Sequence, residues 1–159
     1  MQTLLDHSWI VARLPHQGKM CLLEQVLSWD SLGIVCRATS HRADDNPLRA
    51  HGRLGAACAI EYAAQAIALH GALLQPPSAD ASRTGAGFGL LASAREVELC
   101  VTRLDDLLSD IRVSAQRLHS DARGALYSFA LQVEELILVR GRASLLLDAA
   151  STSIEGTMR

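Results

Sequence analysis

The chain has 159 residues, of which 49% are hydrophobic and 20% charged, and its formal net charge is −2. These values are typical of a globular protein with one core, and they exclude the strong basic excess that binds a nucleic-acid backbone. The four cysteines form no CxxC pair, which favours reduced thiols in a cytoplasmic protein over a zinc site or a disulfide framework. We therefore expect a single domain over residues 1–150, a loose tail over 151–159, and no metal, nucleic-acid or membrane partner.

The first forty residues predict a short helix followed by a hairpin. A helical pattern at Ser8–Ala12 is stopped by Pro15, which cannot continue a helix. Two β-rich runs follow, Cys21–Trp29 and Gly33–Ser40, and an Asp-Ser pair between them is typical of a tight turn.

A long helix is predicted in the middle of the chain. Alanine dominates the stretch Arg53–His70, and alanine has the highest helix propensity. Gly71 is expected to end this helix or nearly so. The proline, serine and glycine residues that follow predict a mobile surface loop near Ala79–Gly85.

The last part of the chain predicts four strands, because apolar and polar residues alternate along each run. The runs are Leu90–Arg103, Ile111–His119, Leu126–Glu135 and Leu136–Leu147. One alanine-rich helix with antiparallel strands on its flanks indicates an α+β fold in which the sheet wraps around a central helix. This arrangement is the hot-dog fold.

Two segments resemble the 3-hydroxyacyl-ACP dehydratases of fatty-acid synthesis. The run LPHQGKMCLLEQVL, Leu14–Leu27, is similar to the LPHRYPFLLVDRVL segment of that family, and AIEYAAQA, Ala59–Ala66, resembles the LIEAxAQ pattern of its central helix. The runs NPLR, GRL and GFGLLASAREVEL look closer still to the dehydratase-like proteins of aryl-polyene biosynthesis clusters. The resemblance implies a hot-dog dehydratase that acts on chains attached to an acyl carrier protein and needs no cofactor.

Glu61 and Gln65 fall on the acidic residue and the glutamine of the family pattern. Apolar surroundings favour the neutral form of a carboxyl group, so we expect Glu61 to be the acid that protonates the departing hydroxyl. Gln65 lies one helical turn later, where it can orient Glu61 or bind a substrate oxygen. The alternative for Glu61 is a helix-surface carboxylate paired with an arginine.

The family's histidine base has no counterpart in this chain. It lies fourteen residues before the acidic residue, and here that position is Pro47, next to Asn46. His51 matches a second histidine of the family pattern, so it has either a catalytic or substrate-contacting role or is a solvent-exposed loop residue. We expect His51 of one subunit to face Glu61 of the other, with Asn46 in contact with the substrate.

Three further residues are predicted to bind substrate. The amide groups of Gly55 and its neighbour Ala56 begin the helix and lack helical partners, so they are predicted oxyanion donors. His16 either lines the site or bonds the backbone, and Arg49 either attracts the phosphate of a carrier-bound arm or is solvated. His70 is expected to bond the free carbonyls at the end of the helix.

These residues favour a dehydratase of 3-hydroxyacyl thioesters, with an acyl carrier protein as partner, in a fatty-acid or aryl-polyene type pathway. The resemblance also implies a homodimer or a hetero-oligomer with another hot-dog subunit. Two alternatives stay open. One is a non-catalytic hot-dog partner of a true dehydratase, and the other is an acyl thioesterase that uses a single helix carboxylate and a water molecule.

Overall fold

A computed structural model describes residues 4–75 and 90–146. Within these ranges the chain forms two α-helices, six strands and three short 3-10 turns. The bounds of the helices and strands are α1 His7–Val11, β1 Gln25–Trp29, β2 Gly33–Ala38, α2 Ala59–Leu74, β3 Leu90–Leu99, β4 Ile111–Ser120, β5 Gly124–Val133 and β6 Leu136–Leu146. The loop predicted near 79–85 and the tail predicted over 151–159 lie outside the described residues.

All six strands belong to one antiparallel sheet in the order β1-β2-β4-β5-β6-β3. β1 and β2 form the predicted hairpin, and β4, β5 and β6 follow one another as a meander. β3 comes directly after the long helix in the chain, yet it pairs with β6 at the far edge of the sheet. The sheet wraps around α2, which confirms the predicted α+β hot-dog fold.

The core lies between the inner face of the sheet and α2. Alternate residues of β4 are buried, as the pattern of period two predicts, and so are alternate residues of β5. Half of the sixteen residues of α2 are buried, among them three alanines whose small side chains let the sheet approach closely. By length and composition alone the stretch Ala56–Leu74 could cross a membrane; in this fold it packs against β2, β4 and β5.

The long helix differs from its predicted bounds at both ends. It begins with a 3-10 turn, Ala56–Cys58, and its α-helical part continues to Leu74 instead of ending near Gly71. Glycine costs a helix roughly 1 kcal/mol relative to alanine, and tertiary packing overrides that cost because Leu73 packs against the core beyond it.

The first strand is shorter than predicted. Cys21–Leu23 are buried, but β1 begins only at Gln25, after a 3-10 turn at Gly18–Met20. The amide of Leu22 donates to a side chain of α2 rather than to a neighbouring strand. This hydrogen bond attaches the N-terminal segment to the helix.

Candidate functional site

A histidine and a glutamate meet at the start of the long helix. His16 lies in the segment between α1 and β1, and Glu61 lies in the first turn of α2. Nε2 of His16 is 2.8 Å from Oε1 of Glu61, and the two side chains are 29% and 30% exposed. The pair therefore reaches solvent while its other atoms are packed. The sequence placed His16 near the site without predicting this contact.

Gln65 connects this pair to the backbone of the N-terminal segment. Its Nε2 donates to the carbonyl of Met20 at 2.7 Å and to Oε1 of Glu61 at 3.3 Å, and its Oε1 accepts from the amide of Leu22 at 2.9 Å. The residue is fully buried. Because the chain itself uses all these groups, Gln65 orients Glu61, and of the two predicted roles the binding of a substrate oxygen is not supported.

The surroundings of Glu61 are more polar than its neighbours in sequence indicate. In the part of the chain that the structure describes, its ion-pair partner is His16 and no arginine contacts it. Nε2 of His16 and Nε2 of Gln65 both lie within hydrogen-bond distance of Oε1 of Glu61. The carboxyl group of Glu61 therefore has polar neighbours on one oxygen instead of the entirely apolar surroundings that the sequence indicated.

Asn46 belongs to a buried hydrogen-bond network. Its Nδ2 donates to the carbonyl of Ser40 at 2.9 Å and to the hydroxyl of Tyr62 at 3.1 Å, while its Oδ1 accepts from the amide of Leu48 at 2.9 Å. Burial raises the pKa of Tyr62, which keeps this hydroxyl protonated. Both N–H groups of Asn46 are thus used within the chain. A substrate could contact Asn46 only by donating to the remaining lone pair of Oδ1.

A cavity of about 380 Å³ opens along the N-terminal segment beside this network. Its wall includes Gly18 and Lys19 of the 3-10 turn, the buried Leu22, and Ser40 with Asn46 from the network. The cavity lies next to the segment that holds His16, and neither His16 nor Glu61 is among the residues that line it.

The two predicted oxyanion donors, the amides of Gly55 and Ala56, have different partners. The amide of Ala56 donates to the carbonyl of Thr102 at 3.1 Å, so it is not available to a substrate, and that prediction is wrong. The cause is a short pairing between the start of the helix and the loop after β3, centred on Gly55 and Arg103. The amide of Gly55 makes no backbone hydrogen bond among residues 4–75 and 90–146 and faces the thiol of Cys58, which leaves it as the oxyanion candidate.

Arg49 is held in place by its own chain. Its Nε donates to the carbonyl of Ala43 at 2.9 Å, and its guanidinium lies 3.7 Å from the carboxylate of Asp105. Arg103 also pairs with Asp105 and holds the pKa of that carboxyl well below its usual range. Arg49 is therefore not simply solvated, while the neighbouring Arg53 is exposed.

His51 does not reach Glu61 within the chain. It is exposed in a turn and adopts a left-handed backbone with φ of 53°, which is uncommon for a residue other than glycine. The structure thus brings together His16, Glu61 and Gln65, and it leaves His51 and Arg49 outside this group.

His70 is a core residue rather than a helix-terminus residue, so its predicted role is wrong. It is fully buried, its Nε2 is 2.8 Å from the carbonyl of Asp30, and its Nδ1 is 2.6 Å from the hydroxyl of Tyr127. Burial lowers the pKa of His70 and favours the neutral ring. The helix continues past His70, which removes the free carbonyls expected around it.

Comparisons with solved structures agree with this fold. The chain is similar to the dehydratase heterocomplex ApeI:P from Xenorhabdus doucetiae, at 24% identity over 87% of this chain and 90% of that chain, with a TM-score of 0.69. It is also similar to thioesterase superfamily member 2 of zebra fish, at 15% identity over 91% and 99% of the two chains, with a TM-score of 0.57. A thioesterase mutant from Pseudomonas aeruginosa matches at 10% identity over 77% and 79%, with a TM-score of 0.55.

Among curated protein sequences none matches the chain significantly. A family model does match. Its description is ApeP-like, ApeP dehydratase, and it covers residues 9–153, which include every residue of the site described above. The chain therefore belongs to the ApeP-like dehydratase family.

Proposed function

We propose that this chain is the subunit of a cytoplasmic dehydratase that removes water from 3-hydroxyacyl thioesters on an acyl carrier protein, in fatty-acid or aryl-polyene type biosynthesis. One observation carries the proposal. The family's acidic residue, Glu61, is held by Gln65 and His16 at a place that solvent can reach. An oriented carboxylate of this kind is what proton transfer to and from a substrate requires.

The proposed dehydration requires only a few functional groups of the protein. A proton leaves the carbon beside the thioester carbonyl, the hydroxyl on the next carbon leaves as water, and negative charge on the carbonyl oxygen needs a donor. In this proposal Glu61 supplies proton transfer, and the amide of Gly55, which precedes the same helix and makes no backbone hydrogen bond within the described residues, is the donor. No cofactor takes part in such an elimination.

The proposed partners follow from the edges and charges of the fold. Within the described ranges nothing pairs with the outer side of β3, so a second hot-dog subunit of the same or another chain can extend the sheet there. The related heterocomplex ApeI:P joins two different subunits. His51 is exposed and available to such a partner, and the exposed Arg53 is better placed than Arg49 to meet the phosphate of a carrier arm.

The decisive experiment offers a 3-hydroxyacyl carrier substrate to the purified protein, alone and with a hot-dog partner, and follows the acyl group by mass spectrometry. We expect an enoyl product that has lost one water, and a rate lower by about 10²- to 10⁴-fold in Glu61→Gln. Glu135→Gln, in an exposed turn, is the matched control.

Each other outcome selects an alternative. Release of the free acid identifies a thioesterase. Enoyl formation that requires the partner, at a rate that Glu61→Gln does not change, identifies a non-catalytic subunit. No enoyl product under either condition refutes the proposal.

A further inference from the structure

The most exposed large hydrophobic residue in the described part of the chain lies in the loop between β3 and β4. Leu108 is 89% exposed, while Leu104, four residues earlier in the same loop, is fully buried. A single exposed leucine is common on protein surfaces. This one differs because of the way in which its backbone is held.

Three successive carbonyl groups of this loop accept hydrogen bonds from two successive residues. Nε2 of His41 lies 3.2 Å from the carbonyl oxygen of Leu107 and 3.0 Å from that of Ser109. Because a carbonyl oxygen can only accept, Nε2 carries the proton and donates to both. Between them, Nη1 of Arg42 donates to the carbonyl of Leu108 at 2.6 Å. Since His41 is fully buried, the loop presents the Leu108 side chain from a backbone that is anchored in the core.

A cluster of three arginines lies beside this loop. One carboxylate oxygen of Asp110 accepts from Nη1 of Arg37 at 2.9 Å, and the other accepts from Nη2 of Arg42 at 2.8 Å. Arg112 is exposed and directly opposite Arg37 on the neighbouring strand. Its guanidinium makes no ion pair or hydrogen bond with the residues that the structure describes. The cluster therefore has three positive charges and, in Asp110, one negative charge.

The placement of Arg37 opposite Arg112 is unfavourable for folding. Like charges directly opposite each other on antiparallel strands destabilise a sheet, and an anion between them relieves the repulsion. Both arginines line a groove of about 340 Å³, together with Asp110 and Glu134. Within the described ranges Glu134 forms no ion pair with either arginine. The groove therefore favours an anionic group that a partner brings.

One short turn connects the arginine cluster to the candidate site. Arg42 ends the 3-10 turn that Ser40 begins. The hydroxyl of Ser40 is 2.8 Å from that of Tyr62, which directly follows Glu61 in α2. The other two arginines lie on β2 and β4, and β5 and β6 separate these strands from β3. The proposed subunit pairing along β3 and this cluster therefore use different parts of the sheet.

We propose that Leu108 and the three neighbouring arginines form the surface on which an acidic face of the acyl carrier protein docks. This inference rests on the proposed function and names the face through which that partner is recognised. The arginines bind carboxylates, and the leucine supplies an apolar contact at the centre of the interface. Charge attraction speeds the encounter with such a partner, and burial of the leucine slows its departure.

Binding of the carrier protein can be measured without turnover. We would titrate the full chain into a fluorescently labelled type II acyl carrier protein, in its holo form, and follow anisotropy at low salt. Arg112→Glu should raise Kd by about 10-fold, and added salt should diminish this difference because it screens exposed charges. Leu108→Ala should raise Kd by about 5- to 20-fold at low and high salt alike.

Arg123→Glu and Leu118→Ala are the matched controls. They make the same changes at exposed positions at or just beyond the other end of β4. Equal urea midpoints verify that all four variants fold. If either test variant changes Kd no more than its control, or if wild type does not bind the carrier protein, the inference is wrong. A change in the mass of the oligomer by light scattering would place a subunit interface on this surface and also overturn it.

Two substrates separate docking from catalysis. Arg112→Glu should raise KM for a 3-hydroxyacyl carrier substrate by about 10-fold with little change in kcat, and it should not alter turnover of the same acyl group on free pantetheine. An equal loss with both substrates would place Arg112 in the reaction itself and overturn the inference. If wild type forms no enoyl product yet binds the carrier protein through this surface, the proposed function fails and the docking surface stands. The two failures are therefore distinguishable.

Discussion

Replacing Gln65 with leucine tests whether one buried amide joins the N-terminal segment to the long helix. Leucine is similar in size, but it leaves the amide of Leu22, which is 1% exposed, without an acceptor. A buried unpaired backbone group costs about 1–3 kcal/mol, and the half-buried carbonyl of Met20 adds a smaller amount because water reaches it. We expect the free energy of unfolding to fall by about 2–4 kcal/mol.

Urea unfolding followed by far-UV circular dichroism measures this change. With a slope of about 2 kcal/mol per molar urea, the midpoint of Gln65→Leu should fall by about 1–2 M. Gln116→Leu is the matched control, because Gln116 is exposed on β4 and its side chain makes no hydrogen bond within the described residues. If the two variants shift the midpoint equally, the three hydrogen bonds of Gln65 do not hold the segment, and the reasoning is wrong.

Three more outcomes are expected. Tyr62→Phe removes a buried hydroxyl with two partners and should lower the free energy of unfolding by about 1–2 kcal/mol in urea, and an unchanged midpoint would contradict this. Because burial lowers the pKa of His70, the unfolded chain takes up its proton first. Stability should therefore be complete above about pH 6.5 and fall below it, less steeply in His70→Gln. A thiol reagent should label the exposed Cys100 first, and Cys36, whose burial raises the pKa to about 12, only after unfolding, as mapped by mass spectrometry.

Most of the sheet could be predicted because its signals are local. Ile111, Val113 and Ala115 alternate with polar residues, and the fold buries all three. The position of β3 at the sheet edge beside β6 could not be predicted this way, because strand order depends on contacts between residues far apart in sequence. The end of α2 was misplaced for a related reason, since packing of Leu73 outweighs the local cost of Gly71.

The candidate site also combines local contacts, which the sequence predicts, with non-local contacts, which it does not. The relation between Glu61 and Gln65 follows from their spacing of one helical turn, and the structure contains their hydrogen bond. The contact of Glu61 with His16 joins segments that are far apart in the chain, and no pattern of period or propensity encodes it. The hydrogen bond from the Ala56 amide to the carbonyl of Thr102 is equally non-local, because the acceptor comes from the loop after β3.

The two edge strands of the sheet differ in how far they are already paired, and this difference limits how many subunits can join through the sheet. At the β1 edge, Val26 exchanges both of its backbone hydrogen bonds with Leu5, and a bulge between Val26 and Ser28 interrupts the short strand. At the opposite edge, the ten residues of β3 have no outer neighbour among those that the structure describes. A subunit that pairs through a single edge strand can join one other subunit, after which no unpaired edge strand remains. If the proposed pairing takes place at β3, we therefore expect assembly through the sheet to stop at a closed pair instead of propagating into a fibre.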